Sequence, residues 1–211
     1  EAKQLPAASE ACFSIKDHVA CVERRIVRVL KIENTTVITA HAQTFVREKL
    51  HPAWIHFKEL IESSPHQIVE IWDHVLSLAD RCLSPSDFGF HNAVKDLDGR
   101  LRFFDFEYAG WDDPAKMICD FFCQPEIPVP ADTYTFFQQK ALEEFYNTDA
   151  ILHRMTTLLP LYRIKWCCII LSEILNKNYS ERRYFAGHQI DADKCLKKAK
   201  KYYNQHLKKI N

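Results

Sequence analysis

Apolar residues recur every three or four positions along most of this chain, the spacing of helices that bury one face. Cys12, Ile15, Val19, Val22, Ile26, Val29 and Leu30 keep that period with Lys, Glu and Arg between them. Ser9 precedes them as a cap, so a helix is predicted from there to about Leu30. A second is predicted over 36–50, broken before Pro52. A third covers 53–62, where Trp54, Phe57, Leu60 and Ile61 form a stripe. Ser63-Ser64-Pro65 reads as a loop. The stretch 66–83 fits a helix best, on Ile68, Val69, Ile71, Trp72, Val75, Leu76 and Leu78.

The texture changes at Ser84. From there to Trp111 aromatic residues crowd together, with turn signals at Ser84-Pro85 and Asp98-Gly99. Residues 91–96 and 100–106 read as two short strands joined at Asp96-Leu97-Asp98-Gly99. Helical spacing resumes at Pro114, a first-turn position introduced by Asp112 and Asp113, and runs to about Cys123. Pro125, Pro128 and Pro130 then interrupt it. Two longer helices follow, over 131–147 and 149–176, and a last one over 191–209. The pattern predicts an α+β fold that is mainly α-helical, a single domain over 1–211 carrying one small β-hairpin in its middle.

Composition narrows the classes of function. Lys plus Arg and Asp plus Glu both number 28, so overall charge gives no reason to expect nucleic acid or an anionic membrane as partner. The lysines at 194, 197, 198, 200, 201, 208 and 209 share their helix with Tyr202, Tyr203, Leu207 and Ile210, which reads as a solvated amphipathic face. Trp166 to Leu171 is among the longest apolar runs, far short of the roughly 20 residues a membrane helix needs. No basic start followed by an apolar stretch marks a signal peptide. The eight Cys lack the spacing of a disulfide framework, so reduced, mostly buried thiols in a cytoplasm are expected. The chain starts at Glu1 rather than Met and reads as a fragment. Its four Gly, at 89, 99, 110 and 187, are too scattered for a Gly-rich phosphate loop.

Two common chemistries find little support. Cys119 and Cys123 lie one helical turn apart and His51 is near His56, yet no Cys pair has the two-residue spacing of a structural zinc site. Ser84 and Ser86 flank no Gly-x-Ser-x-Gly elbow, which weakens an acyl-transfer reading.

The residues that do suggest chemistry run Ser84-Pro85-Ser86-Asp87-Phe88-Gly89-Phe90-His91-Asn92, then, after the turn, Arg102-Phe103-Phe104-Asp105-Phe106-Glu107. Phosphoryl transfer to a hydroxyl needs a carboxylate to hold the hydroxyl and take its proton, and oxygen ligands to fix Mg2+ against the phosphates. Asp87 can serve as the base, and Asn92 and Asp105 can converge on the metal once the hairpin brings them together. His91 lies within reach of a phosphate, although packing within the loop is the simpler role. Glu107 is balanced between supporting the metal site and standing at the surface. Asp and Asn also favour turns and caps for purely local reasons.

This stretch, with its continuation Phe106-Glu-Tyr-Ala-Gly-Trp-Asp-Asp-Pro-Ala-Lys116, resembles the aminoglycoside phosphotransferase and choline kinase-like branch of the protein-kinase-like fold. The resemblance is sharp over about 83–123 and general elsewhere. It implies the C-terminal lobe alone, with Asp87 as base, Asn92 and Asp105 on Mg2+ beside ATP or another nucleoside triphosphate, and Asp120 bracing the loop. It further implies that an N-terminal nucleotide-binding lobe is missing, and that a small-molecule hydroxyl is the acceptor. Where many members have His and then Gly ahead of the base, this chain has Pro85 and Ser86. That departure keeps a second reading in play, a non-catalytic kinase-like module that binds a ligand or partner. A helical interaction protein with an incidental hairpin is a third. The acceptor's identity and the oligomeric state are not legible.

Overall fold

A computed structural model of the chain describes residues 4–63, 72–175 and 191–208. The expectations for 64–71, including most of the Ser63-Ser64-Pro65 loop, for the ends of the helices predicted to 176 and 209, and for Gly187 and Ile210 lie outside the described residues. The protein is mainly helical with a small β content. Its contacts divide it into two compact units: Glu1–His18 with Pro65–Tyr162, and Val19–Ser64 with Arg163–Asn211.

Among the described residues, all the strands lie in the first unit. β1 (Cys82–Ser84) pairs antiparallel with β4 (Gly110–Asp112), Leu83 opposite Trp111. β2 (Ala93–Lys95) pairs antiparallel with β3 (Leu101–Phe103), Val94 opposite Arg102. Two two-stranded sheets therefore replace the single hairpin expected from the sequence. The β2–β3 connection is the expected turn: Asp96 Oδ1 accepts from the N–H groups of Asp98 and Arg100, and Gly99 takes φ 82°.

The chain ahead of the first helix corrects the prediction that helix begins near Ser9. Helix α1 (Ile15–Val29) starts at a reciprocal cap instead. Asp17 N–H donates to Ser14 Oγ at 3.1 Å, and Ser14 N–H donates to Asp17 Oδ2 at 3.0 Å. Residues before that cap run extended along β4. Trp111 N–H donates to Pro6 O and Ala8 N–H to Trp111 O, both at 2.9 Å. Gly110 is required there: a Cβ would lie 2.4 Å from Pro6 O.

Between 73 and 83 the predicted helix is also absent. Leu76 N–H donates to Phe13 O, and Arg81 donates twice to Leu76 O while stacking on the Phe13 ring 3.7 Å away. A short 3-10 turn, Leu78–Asp80, and then β1 occupy the rest. These tertiary partners outweigh the local periodicity.

Helix α4 (Pro114–Cys123) has the bounds predicted for it, with the Asp113 side chain accepting from Ala115 N–H as its cap. Helix α5 is shorter than expected, Tyr134–Leu142 after a 3-10 turn at Ala131–Thr133, and helix α6 covers Thr148–Leu175.

In the second unit helix α2 (Val37–Phe45) opens on a Thr36–Thr39 capping box. A π turn, Val46–Leu50, leads directly into helix α3 (His51–Glu62). The helix does not break at Pro52. The π turn lets His51 N–H reach Val46 O, and Pro52, which has no N–H to place, enters as the first turn of α3. Helix α7 (Ala192–His206) is capped by Asp191, and its Tyr203 meets Phe45 edge-on at 5.5 Å.

All eight Cys are buried and none forms a disulfide. Burial pushes the Cys82, Cys168 and Cys195 thiols up to about 12. No helix among the described residues is long and apolar enough to cross a membrane.

A buried ionic cluster fixes the start of α4. Asp113 Oδ2 accepts from His18 Nε2 at 3.0 Å and from Arg154 Nε at 2.9 Å, with a second bond from Arg154 Nη2. A carboxylate only accepts, so the His18 proton sits on Nε2, and Nδ1 accepts a hydrogen bond from the Tyr162 hydroxyl at 2.7 Å. Beside it, Lys116 pairs with Asp112. Burial alone would strip the Lys116 proton, but Asp120 and Asp112 overcome that and raise its pKa.

The cluster predicts acid sensitivity. Burial lowers the His18 pKa, whereas the unfolded state takes up its proton near the ordinary value of about 6.5, so stability falls as pH drops through that region. Burial works to raise Asp113, yet His18 and Arg154 leave its pKa lowered, which adds a further loss at lower pH still. Urea midpoints should therefore fall steadily from pH 7.5 to 5. Asp113→Ala, which strands Arg154 and removes the cap, should cost about 3–5 kcal/mol at neutral pH. A pH-independent midpoint in this range would contradict the assignment.

Candidate functional site

The loop between β1 and β2 is held onto α4 by aromatic rings. Phe88 stacks on Phe121 at 4.6 Å and Phe90 meets the same ring edge-on at 5.3 Å. Phe88 also contacts Phe103 of β3 at 5.2 Å. With these alternate residues packed on the helix, Asp87 between β1 and the rings stays half-exposed.

Asp87 and Asn92 touch directly. The Asn92 side-chain Nδ2 donates to the Asp87 carbonyl at 2.9 Å, and Asn92 is buried. That bond commits the nitrogen end of the amide and leaves Oδ1 as its acceptor. Asp105 arrives from the other strand. Phe104 N–H donates to Asn92 O at 3.0 Å, extending the β2–β3 ladder by one step and setting the Asp105 backbone beside the loop. The ladder thus leads the backbone at Asp105 to the loop that carries Asp87 and Asn92.

Backbone strain marks the same place. Among the described residues, three non-glycine positions have positive φ: Glu10, Ser86 at 70° and Asp105 at 64°. Two of the three flank or belong to the candidate site. Such conformations cost energy and persist where the surroundings impose them. Ser86 is held by its own N–H to Ser84 Oγ at 3.1 Å and by its Oγ to Ser9 O at 3.0 Å.

The supporting residues have separate positions. His91 Nε2 lies 3.2 Å from Asp87 Oδ1. Glu107 is exposed, and its charge beside the Tyr108 hydroxyl raises the Tyr108 pKa, with Asp105 acting in the same direction. Asp120 is buried on α4, where it stabilises the Lys116 ammonium. Asp113 caps the start of α4, as expected, whereas Asp112 ends β4; both anchor the ionic cluster.

A donor set of one amide oxygen and one carboxylate suits Mg2+, which takes few protein ligands and completes its shell with water and phosphate oxygens. Among the described residues no group of three or more His, Cys, Asp or Glu side chains is arranged to hold a metal ion. Two of the cavities among the described residues lie elsewhere. One of about 350 Å³ in the first unit is lined by His74, Asp80, Asp113 and Arg154 among others. One of about 600 Å³ in the second unit is lined by Phe45, Lys49, Lys200 and Tyr203 among others. Neither takes in Asp87, Asn92 or Asp105.

The sequence reading missed the cluster of His18, Asp113, Lys116 and Arg154. Its one local signal is that Arg154 sits between Ile151 and Met155 on the buried side of α6, a place where an unpaired charge is not tolerated. In comparison with known proteins, no family model matches this chain, and no curated protein matches it.

The strain at Ser86 is testable by two substitutions. Ser86→Gly relieves the left-handed backbone but gives up the bond to Ser9, and should change stability by less than about 1 kcal/mol. Ser86→Ala loses the bond and keeps the strain, and should unfold about 1–2 kcal/mol more easily than the Gly variant in urea. Equal midpoints would contradict a strained Ser86.

Proposed function

We propose that this chain is the catalytic-loop lobe of a phosphotransferase that moves the γ-phosphoryl group of ATP, or another nucleoside triphosphate, to a hydroxyl of a small molecule. The reading rests on one observation above the others. The Asn92 amide is tied by its nitrogen to the Asp87 backbone, while the adjoining strand delivers Asp105 to the same loop.

The chemistry follows from these groups. Asp87, half-exposed at the surface of the loop, accepts a hydrogen bond from the acceptor hydroxyl and takes its proton as the oxygen attacks phosphorus. Asn92 Oδ1 and the Asp105 carboxylate would hold Mg2+, which neutralises charge on the phosphates as the transfer proceeds. The Asp105 backbone, held at φ 64°, fixes the direction in which that carboxylate leaves the chain. Nucleotide contacts from an N-terminal lobe complete the enzyme in this proposal, so the 211-residue chain alone should be inactive.

One observation favours a second reading, a ligand-binding module without catalysis. Ser86 occupies left-handed backbone where members of the resembled family often have Gly, so the loop is not tuned as theirs is.

A binding and turnover experiment separates the two. In the full-length protein, Mg2+ with a non-hydrolysable ATP analogue at about 100 times its Kd should stabilise by about 2.7 kcal/mol. Asp105→Ala should remove that effect. Asp87→Asn should keep it while lowering ATP turnover by at least roughly 100-fold. No stabilisation in the wild type contradicts the proposal, and stabilisation with undiminished turnover in Asp87→Asn favours the second reading.

A further inference from the structure

We infer that the cavity of the second unit binds a small organic phosphate, a phosphate monoester carried on an apolar body. The inference stands apart from the reading of Asp87 as a base.

Two helical stretches build the site. Residues between 41 and 49 line one side and residues between 200 and 208 the other, around a cavity of about 600 Å³. Pockets that take small ligands run from about 300 to 1,000 Å³. The two sides meet at Phe45 and Tyr203, whose rings touch edge-on at 5.5 Å. Both side chains are buried and both line the cavity, so they are its floor. That floor is aromatic.

Charge sets the class of ligand. Lys49, Lys200 and Lys208 line the cavity, and Glu48 is the one acidic side chain among the described residues that line it. Three ammonium groups against one carboxylate leave a surplus of two positive charges. None of the four side chains makes an ion pair or hydrogen bond among the described residues. Other lysines of α7 are neutralised by neighbours one turn away, Lys194 by Asp191 at 3.7 Å and Lys197 by Asp193. The lysine-rich face read from the sequence is therefore divided, and part of it turns on a concavity without local compensation.

A phosphate monoester carries about −1.5 to −2 charge at neutral pH, which matches that surplus, and offers three acceptor oxygens. Lysine meets phosphate as a compact point charge with rotatable donors. Inorganic phosphate would leave the aromatic floor uncovered, and a neutral aromatic molecule would leave the ammonium groups unpaired. A phosphate joined to an apolar body satisfies both.

The backbone gives a second, independent sign. Glu48 and Lys49 belong to the π turn Val46–Leu50, which interrupts the α-helical ladder between α2 and α3. Such turns are rare and appear frequently at functional sites.

The test titrates the full-length protein with phenyl phosphate, followed by calorimetry and 1H–15N NMR. Binding should saturate, with the largest shifts between 41 and 49 and between 200 and 208. Inorganic phosphate and benzyl alcohol, the two halves of the probe, should each bind at least about 10-fold more weakly. Lys49→Gln, Lys200→Gln and Lys208→Gln alter exposed side chains, so each should fold as the wild type does. Each should weaken binding about 3- to 10-fold. Glu48→Gln should tighten it about 2- to 5-fold. Lys201→Gln, on α7 but outside the cavity, should stay within about twofold.

No saturation by about 10 mM phenyl phosphate, or shifts centred elsewhere, would overturn the inference. Equal losses in Lys201→Gln and the three lining variants would reduce it to diffuse attraction and overturn it. Inorganic phosphate binding as tightly as phenyl phosphate would remove the apolar body from the assignment and overturn it too. Binding to phosphatidylcholine vesicles containing phosphatidic acid, with none to phenyl phosphate, would make this face a membrane contact instead. The site can fail in any of these ways while Mg2+ and the ATP analogue still bind, so the two proposals are separable.

Discussion

The geometry of the candidate site depends on how firmly α4 is held, because the loop bearing Asp87 rests on one of its rings. Phe121 receives Phe88 and Phe90 from the loop and Phe137 from α5, at centroid distances of 4.6 to 5.3 Å. Each such pair contributes about 0.5–1.5 kcal/mol beyond the area it buries. The N-terminal end of α4 is held differently, through Asp113 and its bonds to Ala115, His18 and Arg154. Breaking a buried ion pair from one side costs about 3–5 kcal/mol, more than any single ring contact. The ionic end therefore sets where the helix begins, and the aromatic end sets where the loop sits on it. The two ends are separated by about two turns of rigid helix, so an error at one is transmitted to the other.

On that support the loop tolerates conformations that would otherwise relax. Ser86 and Asp105 both take left-handed backbone, one just before the proposed base and the other at a proposed metal ligand. The first is locked by bonds to Ser84 and Ser9, and the second lies between the β2–β3 ladder and the turn that leads to β4. Strain of this kind is stored where position matters more than stability. The Asn92 amide belongs to the same economy of position: one end closes on the Asp87 carbonyl and the other end stays an acceptor.

Local information in the sequence carried a good part of this. Asp113-Pro114 gave the start of α4, and Pro125 just beyond Cys123 its end, because caps and prolines act within a few residues. The β2–β3 turn was legible from Asp98-Gly99, where Gly99 indeed takes positive φ. The closeness of Asp87 and Asn92 was legible because they share one short loop, where the Asn92 amide closes on the Asp87 carbonyl. What depended on distant partners was not legible. Residues 9–14 carry helical spacing, but their backbone is claimed by β4 and by the Ser14–Asp17 cap. Residues 73–83 look helical until Phe13 and Arg81 are taken into account. The His18–Asp113–Arg154 cluster joins positions 95 and 41 residues apart, and no window along the chain contains it. The π turn at Val46–Leu50 escaped for another reason: Pro52 signals a break, and the sequence does not say that a wider turn can absorb it.

The central claim is that Asn92 and Asp105 jointly face one divalent cation beside Asp87. Substituting Mn2+ for Mg2+ with an ATP analogue on the full-length protein and recording paramagnetic broadening by NMR tests this directly. The account predicts that broadening centres on the resonances of Asn92 and Asp105 and fades along α4. Broadening centred elsewhere, or Asn92 and Asp105 left sharp while nucleotide is bound, would contradict it.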